Sequence, residues 1–344
     1  MFFNSYVHFD GPCLAPQPVR LPGSSAWLGP TLADLDIKGA ERTFPPGDRA
    51  DEVHLVLLCE GFAEIEAREL VNHLELAVCL LGARRARDGR ALKGQVTNGQ
   101  REVSGWGDVA STVDLRFGFD SVLLDYVPPW FKDPWRTWSF PTVDPDLVAT
   151  IDGVVMGLRR RREGGRRFSR LWHGLCAYQR SIYASIGLDL HERGFNLIRA
   201  LEALLFHPLQ PNLRGRQFGE RIQWLVDGPN AAWFADLYKY VRNAAVHMHP
   251  RVDPSENPGV VAQFTMQIYL LERVVEHVYR HILATEEMLD GHDDVGLIDL
   301  WEDEIIRDQR WGHRRFDASW YKQTDVVSAT AEDPRFLLRH APRA

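Results

Sequence analysis

The stretch VVAQFTMQIYLLERVVEHVYRHIL, residues 260–283, limits what this chain can fold into more than any other segment. Its apolar residues at 261, 264, 268, 271, 275 and 278 repeat with the period of an α-helix, close to the seam of a helix bundle. The pattern predicts a helix over about 258–287 that must bury one face against other helices. The partners are at hand upstream. Helical spacing predicts further helices at about 146–160, 170–187, 190–206, 216–227 and 232–249. Stop signals separate them: HPLQPN after Phe206, DGPN after Val226, and HPRVDPSENPG from His249 onward. Short loops between long amphipathic helices argue for an antiparallel bundle.

The first 145 residues have a different texture. PCLAPQPVRLPG and FPPGD break any long element, and HLVLLC (54–59), STVDLRFGF (111–119) and SVLLDYV (121–127) read as strands. AEIEARELVNHLELAVCLLGARRA (63–86) has apolar residues at helical spacing and is expected to be one long helix. PPWFKDPWRTWSFPTVDP (128–145), rich in Pro and Trp, is expected to mark a domain boundary. The expected fold class is therefore mainly α. Residues 1–145 form a mixed α+β accessory domain, 146–290 an antiparallel helical bundle, and 291–344 a polar C-terminal extension. Within that extension WEDEIIRDQRWGHRRF is expected to be a charged, ragged end. No internal repeat is apparent.

Bulk composition narrows function. The formal charge of −7, from 40 basic and 47 acidic residues, excludes a generally basic nucleic-acid sponge, so any RNA contact must be local. RRRREGGRRFSR, Arg159 to Arg170, supplies such a place with seven arginines in twelve positions, of which Arg159, Arg160, Arg161 and Arg162 are candidate RNA contacts. The alternative for this run is a solvated linker. Cys13, Cys59, Cys79 and Cys176 form no CxxC pair and are expected to be reduced thiols in a cytoplasmic protein. Neither a signal peptide nor an apolar run long enough to span a membrane is apparent.

The chemistry concentrates in LYKYVRNAAVHMHP, residues 237–250, on the helix expected at 232–249. Asn243 and His247 are one turn apart and share a face, with Arg242 flanking. Leu237, Val241 and Val246 mark the apolar side, and Pro250 ends the helix just after His249. The cluster thus sits at a helix C-terminus, where the partial negative charge favours Arg⁺ and His⁺. Histidine passes a proton near neutral pH. A guanidinium grips a phosphate and stabilises charge developing on it. An Asn amide orients a reacting group. RNA carries its own nucleophile, the 2′-hydroxyl, so a base, an acid and an anion clamp suffice to cleave it without a metal or other cofactor. The same Arg-x4-His spacing recurs at Arg68–His73 and Arg335–His340, where no Asn follows the Arg and the surroundings do not match.

With its neighbours, the segment resembles the Apea-like branch of the HEPN superfamily. RNAAVH matches the RNxxxH form of that superfamily's motif, RALEALLF (199–206) is similar to the helix preceding the motif helix, and FGERIQWLV (218–226) to the short helix beside it. Residues 258–287 correspond to the closing helix. The resemblance covers about 170–287. It implies a bundle that dimerises, with motif residues from two chains lining one cleft. It also implies metal-independent endoribonuclease activity in phage defence or toxin–antitoxin systems. Arg242 would bind the scissile phosphate, His247 would act as general base or acid, and Asn243 would orient His247 or the phosphate. Glu202, on the preceding helix, would hold Arg242 or His247 in place, and His249 would lie outside the minimal motif.

Two other readings compete. His247 and His249 form HxH, and His277 and His281 are i, i+4, a spacing that can chelate zinc. However, HVYRH lacks the Glu of HExxH, and the two pairs are expected near opposite ends of the bundle, so no metal is expected. The second is a non-catalytic helical dimer that senses a ligand or nucleic acid. The absence of a Gly-rich phosphate loop, of GxSxG and of a kinase signature does not separate this reading from the nuclease. Under either one, the N-terminal domain is the natural sensor or regulator.

Overall fold

Strand β1 (Phe3–Pro12) and strand β4 (Glu52–Cys59) form the antiparallel centre of a sheet, running from Phe3 opposite Cys59 to Phe9 opposite Val53. The computed structural model of the chain describes residues 3–12, 19–23, 26–29, 52–59, 73, 76–77, 79–81, 83–85, 107–108, 114–117, 145–163, 168–183, 190–206, 214–247, 258–289 and 293–321. The described residues are predominantly helical and fall into two units. The first takes in the strands up to residue 117, the helix at 145–163 and residues 282–286. The second takes in 168–281 and 287 onward.

In the first unit, β2 (Val19–Leu21), β3 (Ala26–Gly29), β5 (Ala83–Arg85), β6 (Gly107–Asp108) and β7 (Asp114–Phe117) complete the sheet. The order is β2-β3-β4-β1-β7-β5, with β6 also on β1; β6 and β7 run parallel to β1 and the other pairs are antiparallel. The strands expected at 54–59 and within 111–119 are present; SVLLDYV and the Pro/Trp-rich 128–145 lie outside the described residues, apart from Pro145. β1 has no alternating pattern, because Asn, Ser, His, Asp and Gly interrupt its apolar residues; pairing on both sides overrides that weak local preference. The helix expected over 63–86 requires correction at its end. Residues 73, 76, 77 and 79 are helical, but 83–85 form β5, whose backbone pairs with β7 from Ala83 opposite Phe117.

Helix α1 (Pro145–Glu163) opens on proline, whose fixed φ suits a first helical position and whose missing N–H costs nothing there. Val148, Ile151, Val154, Val155 and Leu158 are buried at helical spacing. The Asp152 carboxylate, also buried, accepts a 2.7 Å hydrogen bond from the Gly23 amide and ties α1 to the turn after β2. At Gly157 a Cβ would lie 2.0 Å from the Leu283 carbonyl oxygen, so only glycine admits the 282–286 segment so closely.

The second unit is built from α2 (Ser169–Tyr183), α3 (Leu190–Leu205), α4 (Arg214–Ile222), α5 (Ala231–His247) and α6 (Pro258–Ala284, of which residues up to 281 belong here). These match the expected helices to within a few residues, except that the helix expected over 216–227 ends at Ile222 and Val226–Asp227 form a short strand instead. On α6 the predicted seam is buried at Phe264, Ile268, Leu271, Val275 and Val278. Gly194 of α3 lets α5 and α6 approach: a Cβ there would meet Ile268 Cδ1 at 2.4 Å and Val241 Cγ1 at 2.9 Å. Inside the core, Arg193 of α3 forms an ion pair with Glu272 of α6, both almost fully buried. Glu276 binds Arg273 at 2.8 Å and accepts from the Tyr178 hydroxyl of α2 at 3.1 Å.

Residues 293–321 are more ordered than their charge suggests. They form α8 (Asp294–Glu302) and α9 (Glu304–Arg310), following the short α7 (Glu286–Leu289), then a 3-10 turn over Gly312–Arg314. Trp301 and Trp311 are buried edge to face, with ring centroids 5.0 Å apart. Strand β9 (Phe316–Asp317) pairs in parallel with β8 (Val226–Asp227), between α4 and α5. Two tryptophans dispersed among charges carry no periodic signal, which is why the segment reads as ragged.

Candidate functional site

Helix α5 carries the site, and its start is firmly set. The Asn230 side chain accepts from the Trp233 amide at 2.9 Å, a helix N-cap. Gly219 of α4 lets the two helices touch, because a Cβ there would lie 2.2 Å from the Ala231 carbonyl oxygen. Phe234, Leu237, Tyr238 and Val241 form the buried stripe, and Val241 reaches α3 at Gly194. Arg242 follows at the edge of that stripe, half-buried.

Glu202 stands opposite on α3. Arg242 Nε lies 3.3 Å from Glu202 Oε1, with the two side chains 26% and 19% exposed, a partly desolvated ion pair. The same oxygen accepts a hydrogen bond from the Tyr238 hydroxyl at 2.5 Å. Tyr238 precedes Arg242 by one turn, and its ring centroid is 5.8 Å from the guanidinium carbon. Phe218 and Phe206 pack on the Tyr238 ring with centroids at 4.9 and 5.9 Å. From α2, Arg170 Nη2 donates to the Glu202 carbonyl at 3.3 Å. The Arg242 Nε–H is not aimed at the carboxylate well enough for a hydrogen bond, so their contact is chiefly Coulombic while the tyrosine makes the directed bond. An open groove of about 590 Å³ runs beside the cluster between α4 and α5, lined by Gly215, Arg216, Ala231, Ala235, Tyr238 and Lys239 among others.

No protein-family model, curated protein or solved structure matches this chain.

Two of the five residues expected in or supporting the site, Arg242 and Glu202, are thus in contact. Asn243 and His247 fall on the last turn of α5, which ends at His247, but their side chains lie outside the described residues, as does all of His249. Arg159 to Arg162 belong to α1, in the first unit, rather than to a linker; Arg159, Arg160 and Arg161 are half-buried there, and the Arg162 side chain is not described. Tyr238 escaped the sequence reading because a tyrosine on an apolar stripe looks like core. Its signal was available in the i, i+4 spacing to Arg242.

The other histidine pair sits apart. His277 and His281 stack edge to face at 4.4 Å beside Trp311. His277 Nε2 donates to the Arg314 carbonyl at 2.5 Å, which fixes that nitrogen as the protonated one and commits it to the C-terminal segment. Burial pushes His277 down to about 4 despite that bond, with Arg280 contributing. His281 falls to about 3, through burial first and then the positive or protonatable groups His277, Arg280, Arg314 and His313. Among the described residues no group of three or more His, Cys, Asp or Glu is placed to hold a metal ion. Among them, too, no helix is long and apolar enough to cross a membrane.

Proposed function

We propose that the chain is a metal-independent endoribonuclease of the HEPN type, with Arg242, Asn243 and His247 as its working residues. The ion pair between Arg242 and Glu202 is the observation that supports this reading most directly: it joins the motif arginine to the acidic residue expected to steady it, on the two helices expected to carry them. His247 removes the proton from a ribose 2′-hydroxyl or delivers one to the departing 5′-oxygen. The 2′-oxygen attacks the adjacent phosphorus, the bond to the 5′-oxygen breaks, and a 2′,3′-cyclic phosphate and a 5′-hydroxyl result. Arg242 stabilises the charge that builds on the phosphoryl oxygens, and Asn243 orients the reacting groups. A homodimer with a composite cleft, a cytoplasmic site of action, and a role in phage defence or toxin–antitoxin function belong to this proposal. In it, the HEPN-type bundle carries the chemistry and the sheet-bearing first unit regulates it.

The test is cleavage of single-stranded RNA and tRNA in EDTA by wild type and His247→Ala. Cleavage in EDTA that falls by about 100-fold or more in the variant is the expected outcome for loss of a general acid–base. Equal activity in both removes His247 from the mechanism, and loss with EDTA in the wild type points to a metal instead. The Glu202–Arg242 pair equally suits a non-catalytic helical dimer, in which its charges only join two helices; that reading expects no cleavage by either protein.

A further inference from the structure

We propose that Tyr238 is a positioning residue that keeps Glu202 from closing on Arg242 and so leaves the arginine poised for an anion; this rests on the ribonuclease reading of the site. A carboxylate beside a guanidinium normally takes it in a two-pronged grip through two parallel N–H bonds. Here that grip is not made. The tyrosine hydroxyl, at 2.5 Å, occupies the same Oε1 that faces Arg242, while the Arg242 Nε sits at 3.3 Å without a directed hydrogen bond. The closest approach in the ion pair is made by Nε.

Each part of the arrangement is held from elsewhere. Phe206 and Phe218 fix the Tyr238 ring, which is itself buried. Arg170 holds the Glu202 backbone through its carbonyl. The ring of Tyr238 faces the guanidinium at 5.8 Å, a second, undirected attraction that steadies the charge without consuming its donors. Tyr238 therefore sets how tightly Glu202 holds Arg242: near enough to orient the guanidinium, too weakly to compete with a phosphate for its outer edge. Removing only the hydroxyl frees Oε1 to turn toward the arginine. The residue meant to support the clamp then occupies it.

The experiment compares wild type, Tyr238→Phe, Glu202→Gln and the double variant. Two rates are read: modification of Arg242 by phenylglyoxal, followed by peptide mass spectrometry, and RNA cleavage in EDTA. Tyr238→Phe keeps the ring and its packing, and it is expected to slow modification of Arg242 by about fivefold and to lower kcat/KM for RNA by about tenfold. In the double variant the modification rate returns to at least the wild-type value, because no carboxylate remains to close. A role in packing alone would not produce that reversal. An unchanged Arg242 rate in Tyr238→Phe overturns the inference, as does an equal slowing with and without Glu202. Should Tyr238→Phe fail to fold, Glu202→Gln alone decides: a rate within about twofold of wild type supports the inference, because the carboxylate is already held off, and a clear acceleration overturns it, because Glu202 then masks Arg242 in the wild type. If the modification pattern is as expected but none of the proteins cleaves RNA, the positioning role stands and the ribonuclease reading falls.

Discussion

At the scale of single residues, the helical unit depends on charges placed where the sequence shows only helix. Glu272 and Glu276 stand in LLERVVEHVYR, where any acidic residue of an amphipathic helix would be expected on the solvated face. Both are buried, because Arg193, Arg273 and Tyr178 meet them. Taking a charge out of water is costly unless a partner accompanies it, so such a pair adds little net stability yet is expensive to break. Arg193→Ala is expected to destabilise the protein by about 3–5 kcal/mol, because it leaves Glu272 buried with only the longer, 3.6 Å contact to Arg273. Denaturant unfolding monitored by circular dichroism measures this, and a loss below about 1 kcal/mol would mean that water reaches Glu272 in the native state.

At the scale of elements, α2 begins on a borrowed cap. The Asp294 carboxylate of α8 accepts from the Arg170 amide at 2.7 Å and the Leu171 amide at 3.0 Å, and Ser169 Oγ donates to it at 3.3 Å. A helix N-terminus leaves amides unsatisfied and carries partial positive charge, so one carboxylate answers both needs. Asp294→Ala is expected to cost about 1–2 kcal/mol and Asp294→Asn less, read from chemical denaturation midpoints. Such a cap was not legible in the sequence, since the usual local signature places it immediately before its helix and this one comes from 124 positions downstream. The helices themselves were legible for the opposite reason: α2 to α6 each carry their own apolar stripe and their own stop signals. The strands were legible only in part. β4 is a continuous apolar run, whereas β1 and β5 are made by their neighbours. At the site, Arg242 and Glu202 could be named from spacing and resemblance, but which oxygen Tyr238 occupies is a fact of three-dimensional packing.

At the scale of the whole molecule, acid should destabilise this protein through imidazoles held wholly (His191) or partly (His277, His281) out of water. His191 and His277 are each lowered to about 4 by burial, and His281 to about 3, against 6.5 for the unfolded chain. Below 6.5 the unfolded state therefore binds more protons than the native one, so stability falls as pH drops. The contribution of these neutral histidines is complete above about pH 6.5 and is lost progressively toward pH 4. Melting temperatures between pH 7.5 and 4.5 are expected to fall with a steeper slope than in a His277→Gln variant. Equal slopes would mean that His277 does not titrate in this window.

The parallel pairing of β8 with β9 sets an order of events during synthesis. Phe316 donates its amide to the Leu225 carbonyl, and Ala318 to that of Asp227. Gly228 follows at φ +154°, where a Cβ would crowd Ala318 at 2.9 Å. The turn that launches α5 is thus closed by residues ninety positions later. At about 5–20 residues per second, a ribosome needs roughly 5–20 s to supply them. During that interval the helix bearing Arg242 has been made but the strand that braces its entry has not, so the nascent chain passes through a stage in which this turn is open to chaperones and to other nascent chains.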